Sequence, residues 1–237
     1  MKPQQVTQKL ALNNIKNVYL PVVEHFISIQ GEPSSVGKKA YFIRLAGCNL
    51  DCKWCDTKYA TKKPKFELIP LKQVIKMILR SKCDLIVFTG GEPLLFAEML
   101  ELIASTLKGR QFEIETNGTR NPLPQELWNV GYNVSPKLSG SGNPKEKRYR
   151  PEVLKLFRQR ANTIYKFVCC DEKDLKEVNK IVDSLKISKS RVYIMPEGME
   201  WKKYRANALK LVDKVLERNY NLAVRFQILL WGKAKMK

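Results

Sequence analysis

Between residues 22 and 230 short runs of Val, Ile, Leu and Phe alternate with segments whose apolar residues recur at helical spacing, and this alternation restricts the fold more than any other feature. Residues 22–29 (VVEHFISI), 41–45 (YFIRL), 85–88, 112–116, 132–135, 164–170, 192–195 and 222–230 read as strands. Between them Leu71, Val74, Ile75, Ile78 and Leu79 share one helical face, and 94–107, 151–160, 174–185 and 200–217 read as helices, that at 151 opened by a proline. Strands apolar almost throughout need cover on both faces. The pattern therefore predicts an α/β fold, a mostly parallel sheet with helices outside, whose roughly six to eight strands are enough to close as a partial (β/α) barrel. SGSGNP at 139–144 is too short for more than a loop, so 1–237 reads as one domain with an N-terminal extension over 1–20. In such a fold, sites gather where the loops converge at the C-terminal strand ends.

The 43 Lys and Arg residues outnumber 23 Asp and Glu, leaving a formal charge of +20 that suits either nucleic acid or small anions. The densest basic runs, 58–65 (KYATKKPK) and 137–160, carry no interleaved aromatic platform and read as solvated faces. No stretch approaches the roughly 20 apolar residues of a membrane span. The first 17 residues hold no secretory signal, so the expectation is a cytoplasmic protein with no membrane partner.

Three of the six cysteines lie within eight residues, in Gly47-Cys48-Asn49-Leu50-Asp51-Cys52-Lys53-Trp54-Cys55-Asp56-Thr57. Cysteines this close do not make a conventional disulfide framework, and CxxxCxxC can grip three corners of a metal site. Structural zinc would want a fourth ligand, for which His25, Cys83 and the Cys169-Cys170 pair are the candidates. A [4Fe-4S] cluster needs only the three thiolates and leaves one iron open. Spacing does not choose between them.

Each later strand ends on a distinctive rim: Thr89-Gly90-Gly91-Glu92-Pro93, Glu115-Thr116-Asn117-Gly118, Ser135-Pro136-Lys137 and Met195-Pro196-Glu197-Gly198. Together with the cysteine loop and its Trp54 before the last cysteine, these resemble the radical S-adenosylmethionine superfamily. The resemblance implies a [4Fe-4S] cluster on Cys48, Cys52 and Cys55, with S-adenosylmethionine chelated at the open iron and reductively cleaved. It implies a cofactor pocket formed by Trp54, Cys55, Asp56, Gly91, Glu92, Glu115, Asn117, Ser135, Pro136, Lys137, Met195, Pro196, Glu197 and Gly198, with the GGEP motif cradling the methionine amino group.

A narrower resemblance rests on Phe26-Ile27-Ser28-Ile29-Gln30-Gly31-Glu32, on 41–47 (YFIRLAG) leading into the cysteines, on Cys55-Asp56-Thr57, and on the Thr89 and Ser135-Pro136-Lys137 motifs. It runs from about residue 22 to Trp231-Gly232 and is similar to the 7-carboxy-7-deazaguanine synthase family. That family implies radical-mediated ring contraction of 6-carboxy-5,6,7,8-tetrahydropterin with loss of ammonia, on the route to queuosine or archaeosine. It implies pterin contacts from Ile29, Gln30, Gly31 and Thr89, a carboxylate held by Arg44, Mg2+ on Thr57, a flavodoxin or ferredoxin as reductant, a homodimer, and no direct nucleic-acid contact. Pro33 departs from the family, which has Gly there. Two other readings are a glycyl-radical enzyme activase with a similar cluster loop and, in a different class, a zinc-bearing nucleic-acid-binding protein.

Overall fold

The computed structural model describes residues 18–232, so most of the expected N-terminal extension and the basic tail after Gly232 lie outside the described residues. The strands are β1 (Tyr19–Ile29), β2 (Lys39–Leu45), β3 (Glu67–Pro70), β4 (Leu85–Gly90), β5 (Gln111–Thr116), β6 (Val130–Val134), β7 (Thr163–Cys169), β8 (Val192–Pro196) and β9 (Asn221–Leu222). The helices are α1 (Lys58–Thr61), α2 (Leu71–Ser81), α3 (Ala97–Thr106), α4 (Lys145–Arg148), α5 (Pro151–Arg158), α6 (Glu172–Leu185), α7 (Trp201–Glu217) and α8 (Phe226–Trp231). All nine strands form one sheet in the order β3-β1-β2-β4-β5-β6-β7-β8-β9. β1 is antiparallel to β2 and β3, and every pairing from β2–β4 onward is parallel.

The sheet curls. β1 and β9 are seven strand spacings apart, roughly 33 Å if flat, yet the Phe226 amide just beyond β9 donates to the Gly31 carbonyl just beyond β1 at 2.8 Å. That curl makes the partial barrel expected from the alternation. Phe112 and Ile114 of β5, Tyr132 and Val134 of β6, and Tyr165 and Phe167 of β7 join the main core under the helices. The residues between them, Glu113, Glu115, Asn133 and Lys166, face the barrel interior, as the two-residue period of a strand requires. Phe42 and Val87 pack with Phe26 in a smaller inner cluster.

Helix ends follow local chemistry. Asp171 caps α6 by accepting from the Lys173 and Asp174 amides, and Lys82 and Lys186 end α2 and α6 in the left-handed conformation. No helix among the described residues is long and apolar enough to cross a membrane.

Three expectations need correction. Residues 222–230 are not a strand: β9 stops at Leu222 and the apolar run FQILLW winds into α8, a distinction that a short apolar run does not encode by periodicity. The edge strand β3 was not anticipated, because its Leu68 is exposed and only Ile69 packs inward. The run 137–160 is not wholly solvated. Arg148 is buried, donating to the Lys137 carbonyl and to Glu177, and Arg158 and Arg160 satisfy the carbonyls of Leu185 and Leu123. The four lysines of 58–65 are exposed as expected.

Candidate active site

A cavity of about 550 Å3 opens at the C-terminal ends of the parallel strands, and all three clustered cysteines line it. Their loop is pinned from below. Gly47, at φ +89°, donates to the Ala60 carbonyl, Lys53 donates to the Ser141 carbonyl, and the Asp51 amide donates to Asn143 Oδ1. The Asn117 side chain donates to Asn49 Oδ1 at 2.9 Å, and Asn49 donates in turn to Thr119.

The sulfurs have donors aimed at them. The Leu50 amide stands 3.4 Å from Cys48 Sγ, Asn117 Nδ2 3.8 Å from the same sulfur, and Asn143 Nδ2 3.3 Å from Cys52 Sγ. Burial pushes the Cys48 and Cys52 thiols up, so thiolates here call for a cationic centre. Among the described residues no three His, Cys, Asp or Glu side chains converge on a point that one metal ion would fill. An iron-sulfur cube asks for something else: one thiolate on each of three irons, with N–H donors to the sulfurs. None of the candidate fourth zinc ligands lines the cavity. His25 is exposed and bonded to the Tyr41 hydroxyl, Cys83 lies in the core beside Ser81, Cys169 is fully buried, and Cys170 packs beside Asp174. The donor set thus fits the three-thiolate cluster.

The Gly-Gly turn after β4 meets the cysteine loop backbone to backbone. Gly91 donates to the Leu45 carbonyl and Glu92 to the Gly47 carbonyl, and a Cβ on Gly91 would lie 1.7 Å from the Gly47 oxygen. Close approach is what demands glycine here. Two expected cofactor contacts are corrected. Glu92 is fully buried beneath the turn, its carboxylate accepting from the Leu94 and Asn117 amides and the Thr116 hydroxyl. It builds the rim and does not reach the cavity. Pro136 is likewise buried behind the wall, whereas its neighbours Ser135 and Lys137 line it.

Lys137 Nζ donates to Ser135 Oγ at 2.8 Å and sits 5.6 Å from the Trp54 ring centroid. Burial, helped by the nearby Lys166 charge, pushes its ammonium down. An anionic group entering the cavity would relieve that cost.

The wall formed by β1, β2 and β5 is built from charge. Arg44 Nε donates to Glu24 Oε1 at 2.6 Å, and the Tyr59 hydroxyl donates to the same oxygen at 2.9 Å. Beyond that bond the Arg44 side chain, 14% exposed, lines the cavity. Gln30 donates to Glu113 at 2.5 Å and to Glu115 at 3.2 Å, and its oxygen accepts from the Glu32 amide. Thr89 donates to Glu115 at 2.6 Å. Burial, then the Glu115 charge, raises the Glu113 carboxyl to about 7. On the opposite side Glu32 pairs with Lys166 and Arg225, which outweigh its burial and hold it at about 2. Thr57 Oγ1 is 3.5 Å from the Gly90 carbonyl and 3.6 Å from Cys55 Sγ.

Ile29, Gln30, Gly31, Arg44, Trp54, Asp56, Thr57, Thr89, Gly91, Glu115, Asn117, Ser135, Lys137, Met195, Pro196, Glu197 and Gly198 all line this one cavity with the cysteines. Sequence reasoning did not single out Glu24, Glu32, Tyr59, Asn133, Lys166 or Arg225, which line it too, or Glu113 beneath it. A signal was present: in FEIET and YKFVC a charged residue interrupts an apolar strand with period two, which marks an inward polar face.

The comparisons agree with this geometry. The Radical SAM superfamily profile matches residues 42–167. A 7-carboxy-7-deazaguanine synthase of Hyperthermus butylicus is 35% identical over 222 residues, covering 90% of this chain and 94% of its own length. Another, of Clostridium acetobutylicum, is 36% identical over 74% of this chain and 80% of its own. The crystal structure of QueE from Escherichia coli superposes with a TM-score of 0.70 at 26% identity, covering 90% of this chain and 96% of that one. Profile, relatives and fold converge with the thiolate loop and the charged barrel interior: the chain belongs to the radical SAM superfamily and, within it, to the 7-carboxy-7-deazaguanine synthases.

Proposed function

We propose that this chain converts 6-carboxy-5,6,7,8-tetrahydropterin into 7-carboxy-7-deazaguanine and ammonia, with Mg2+ and a [4Fe-4S] cluster on Cys48, Cys52 and Cys55. Bound S-adenosylmethionine, reductively cleaved at the cluster, supplies the radical that takes hydrogen from the pterin. The observation that carries the reading is Arg44. Its Nε is fixed by Glu24, so the terminal fork is presented to the same cavity as the three thiols, and a guanidinium fork matches a carboxylate.

Around that anchor the residues divide the work. Ile29, Gln30, Gly31 and Thr89 hold the pterin edge, and the Gln30 amide is oriented for it by Glu113 and Glu115. Glu115, held by Thr89, also faces the cavity and offers an acceptor to the pterin side as much as to the cofactor. Trp54, Asp56, Gly91, Asn117, Ser135, Lys137, Met195, Pro196, Glu197 and Gly198 enclose S-adenosylmethionine, with Lys137 the cation for its carboxylate. Thr57 contributes one neutral oxygen to Mg2+. A hard cation wants about six oxygens, so the ion enters chiefly with substrate and water. The exposed lysines at 58, 62, 63 and 65 beside the cluster loop suit an acidic flavodoxin or ferredoxin. We further propose a homodimer, and a product that enters queuosine or archaeosine synthesis.

Anaerobic reconstitution with iron, sulfide, S-adenosylmethionine, Mg2+, dithionite and the carboxytetrahydropterin tests the reading. The expected result is 7-carboxy-7-deazaguanine with stoichiometric ammonia, falling at least 100-fold in Arg44→Ala and lost in Cys52→Ala. No product from cluster-loaded wild type would overturn it.

A further inference from the structure

The three loops assigned to substrate and cofactor come from distant parts of the chain, yet one side chain touches all of them. Arg225 lies between β9 and α8, is only 13% exposed, and lines the cavity. Its Nη2 donates to Asp56 Oδ2 at 2.6 Å, in the turn that leaves the cysteines. Nη1 donates to the Gly198 carbonyl at 3.0 Å, in the loop that follows β8. Nε stands 3.4 Å from Glu32 Oε1, in the loop that follows β1. The same segment is stitched to the β1 loop twice more, through the Phe226 amide to the Gly31 carbonyl and Gln227 Nε2 to Glu32 at 3.1 Å.

We infer that Arg225 is a positioning residue that couples the substrate half of the cavity to its S-adenosylmethionine half, a role that rests on the loop assignments proposed above. The physical basis is the planar fork. Its two terminal donors point in fixed directions, so Asp56 and the Gly198 carbonyl are both satisfied, with Glu32 held at ion-pair distance from Nε, only when the three loops stand in one mutual arrangement. Glu32 and Asp56 supply two negative charges against Lys166 and Arg225, a balanced quartet across the mouth of the barrel. Remove Arg225 and Glu32 keeps Lys166, but Asp56 and the Gly198 carbonyl lose their donor and the loops lose their common reference. A ligand that orders one loop then no longer helps the other. While Arg225 is present, each ligand raises the affinity for the other, and by linkage the factor is the same in both directions.

The experiment compares wild type, Arg225→Lys and Arg225→Gln. Amide hydrogen exchange on the ligand-free, cluster-loaded proteins reads loop order without turnover. Exchange at 29–37, 54–61 and 196–200 should rise together in Arg225→Gln and partly in Arg225→Lys, with the thermal midpoint and iron content held. Equilibrium dialysis of S-adenosylmethionine with and without the carboxytetrahydropterin should give about a 5-fold or greater tightening in wild type and less than 2-fold in Arg225→Gln, with KM for both ligands rising more than kcat falls. Faster exchange in one loop alone, or a coupling factor unchanged in Arg225→Gln, would overturn the inference, as would a wild type whose ligands bind independently. If Arg225→Gln does not fold, Arg225→Lys decides: its donors all sit on one nitrogen and cannot span the positions that Nη1, Nη2 and Nε occupy, so undiminished coupling there also overturns the inference. A wild type that makes no product from the pterin counts against the proposed reaction, and the exchange arm then judges the role of Arg225 separately.

Discussion

The two halves of the cavity are built by different means. Where Gly91 meets the cysteine loop, shape comes from backbone against backbone: amides on carbonyls at 2.9 and 3.0 Å, and no room for a Cβ. Across the floor, shape comes from charged side chains, and two glutamates there sit in opposite states. Glu32, between Lys166 and Arg225, is held ionised at about 2, while Glu113, beside Glu115, is raised to about 7. Burial is the largest influence on both, and it raises both. The neighbours decide the outcome. A backbone-built wall is therefore indifferent to pH and intolerant of any side chain, whereas a charge-built wall answers to pH and tolerates isosteres of the right charge.

The largest effect should come from breaking the charged side. Glu32→Gln leaves Lys166 buried without its ion-pair carboxylate, while Arg225 keeps Asp56, and stranding a buried charge costs about 3–5 kcal/mol. A drop of that size in urea-unfolding free energy at pH 7 is expected. In wild type the Glu32 contribution is fully present above its unfolded value near 4.5 and is lost as pH falls from there toward 2. The acid limb of the stability profile should flatten in the variant. An unchanged limb would mean that the cations do not hold Glu32.

Breaking the backbone side should cost nearly as much but without pH dependence. In Gly91→Ala the new methyl would stand 1.7 Å from the Gly47 oxygen, and neither strand end can retreat because each hydrogen-bonds the other. Overpacking of this kind costs about 3 kcal/mol. It should appear as the same loss at pH 5 and pH 8, with less cluster retained on reconstitution because the cysteine loop is pushed away. A loss that varied with pH would put a titrating group where backbone was assigned.

This division also explains what was legible in the sequence. Backbone-built features leave strong local marks: glycines at Gly47, Gly90 and Gly91, and three cysteines on one loop, so a metal-gripping loop and its rim were visible locally and the family resemblance they carry supplied the cluster. The sheet and most helices were legible for the same reason, since burial against helices writes itself as Phe112-x-Ile114 and Tyr165-x-Phe167. Glu92 misled because its motif marks a ligand rim, whereas three donors beneath the turn drew its carboxylate inward. Charge-built features are non-local. Glu32 finds Lys166 and Arg225 across 134 and 193 positions, and nothing in either neighbourhood announces the other. Residues 222–230 failed as a strand because a short apolar run ending in Leu-Leu-Trp serves a helix equally well.

A sharper version of the comparison uses Glu113→Gln. Because the folded value of Glu113 is raised above 4.5, the native state holds the proton more tightly than the unfolded chain. Its contribution is fully present below 4.5 and is lost as pH rises toward 7. Glutamine is the shape of the protonated acid, with an oxygen for Gln30 and Asn133. The advantage of the variant over wild type should be about 2.5 kcal/mol greater at pH 8 than at pH 5, the reverse of the Glu32 result from a carboxylate on the same floor. The same difference at both values would mean that Glu113 is ionised throughout.

The smallest effect belongs to Thr57, where the two walls meet. Its hydroxyl lies 3.5 Å from the Gly90 carbonyl and 3.6 Å from Cys55 Sγ, distances at which a hydrogen bond is weak. Neither wall depends on it. Thr57→Val keeps the branched shape, so its unfolding free energy should stay within about 0.5 kcal/mol of wild type at any pH, and cluster content should be unchanged. What should change is the response to magnesium. If the hydroxyl is held loosely because its partner is an ion that arrives with substrate, product formation in wild type will rise with added Mg2+, and that rise will shrink several-fold in Thr57→Val. A variant with the full magnesium response would return Thr57 to the backbone-built wall as an ordinary turn residue.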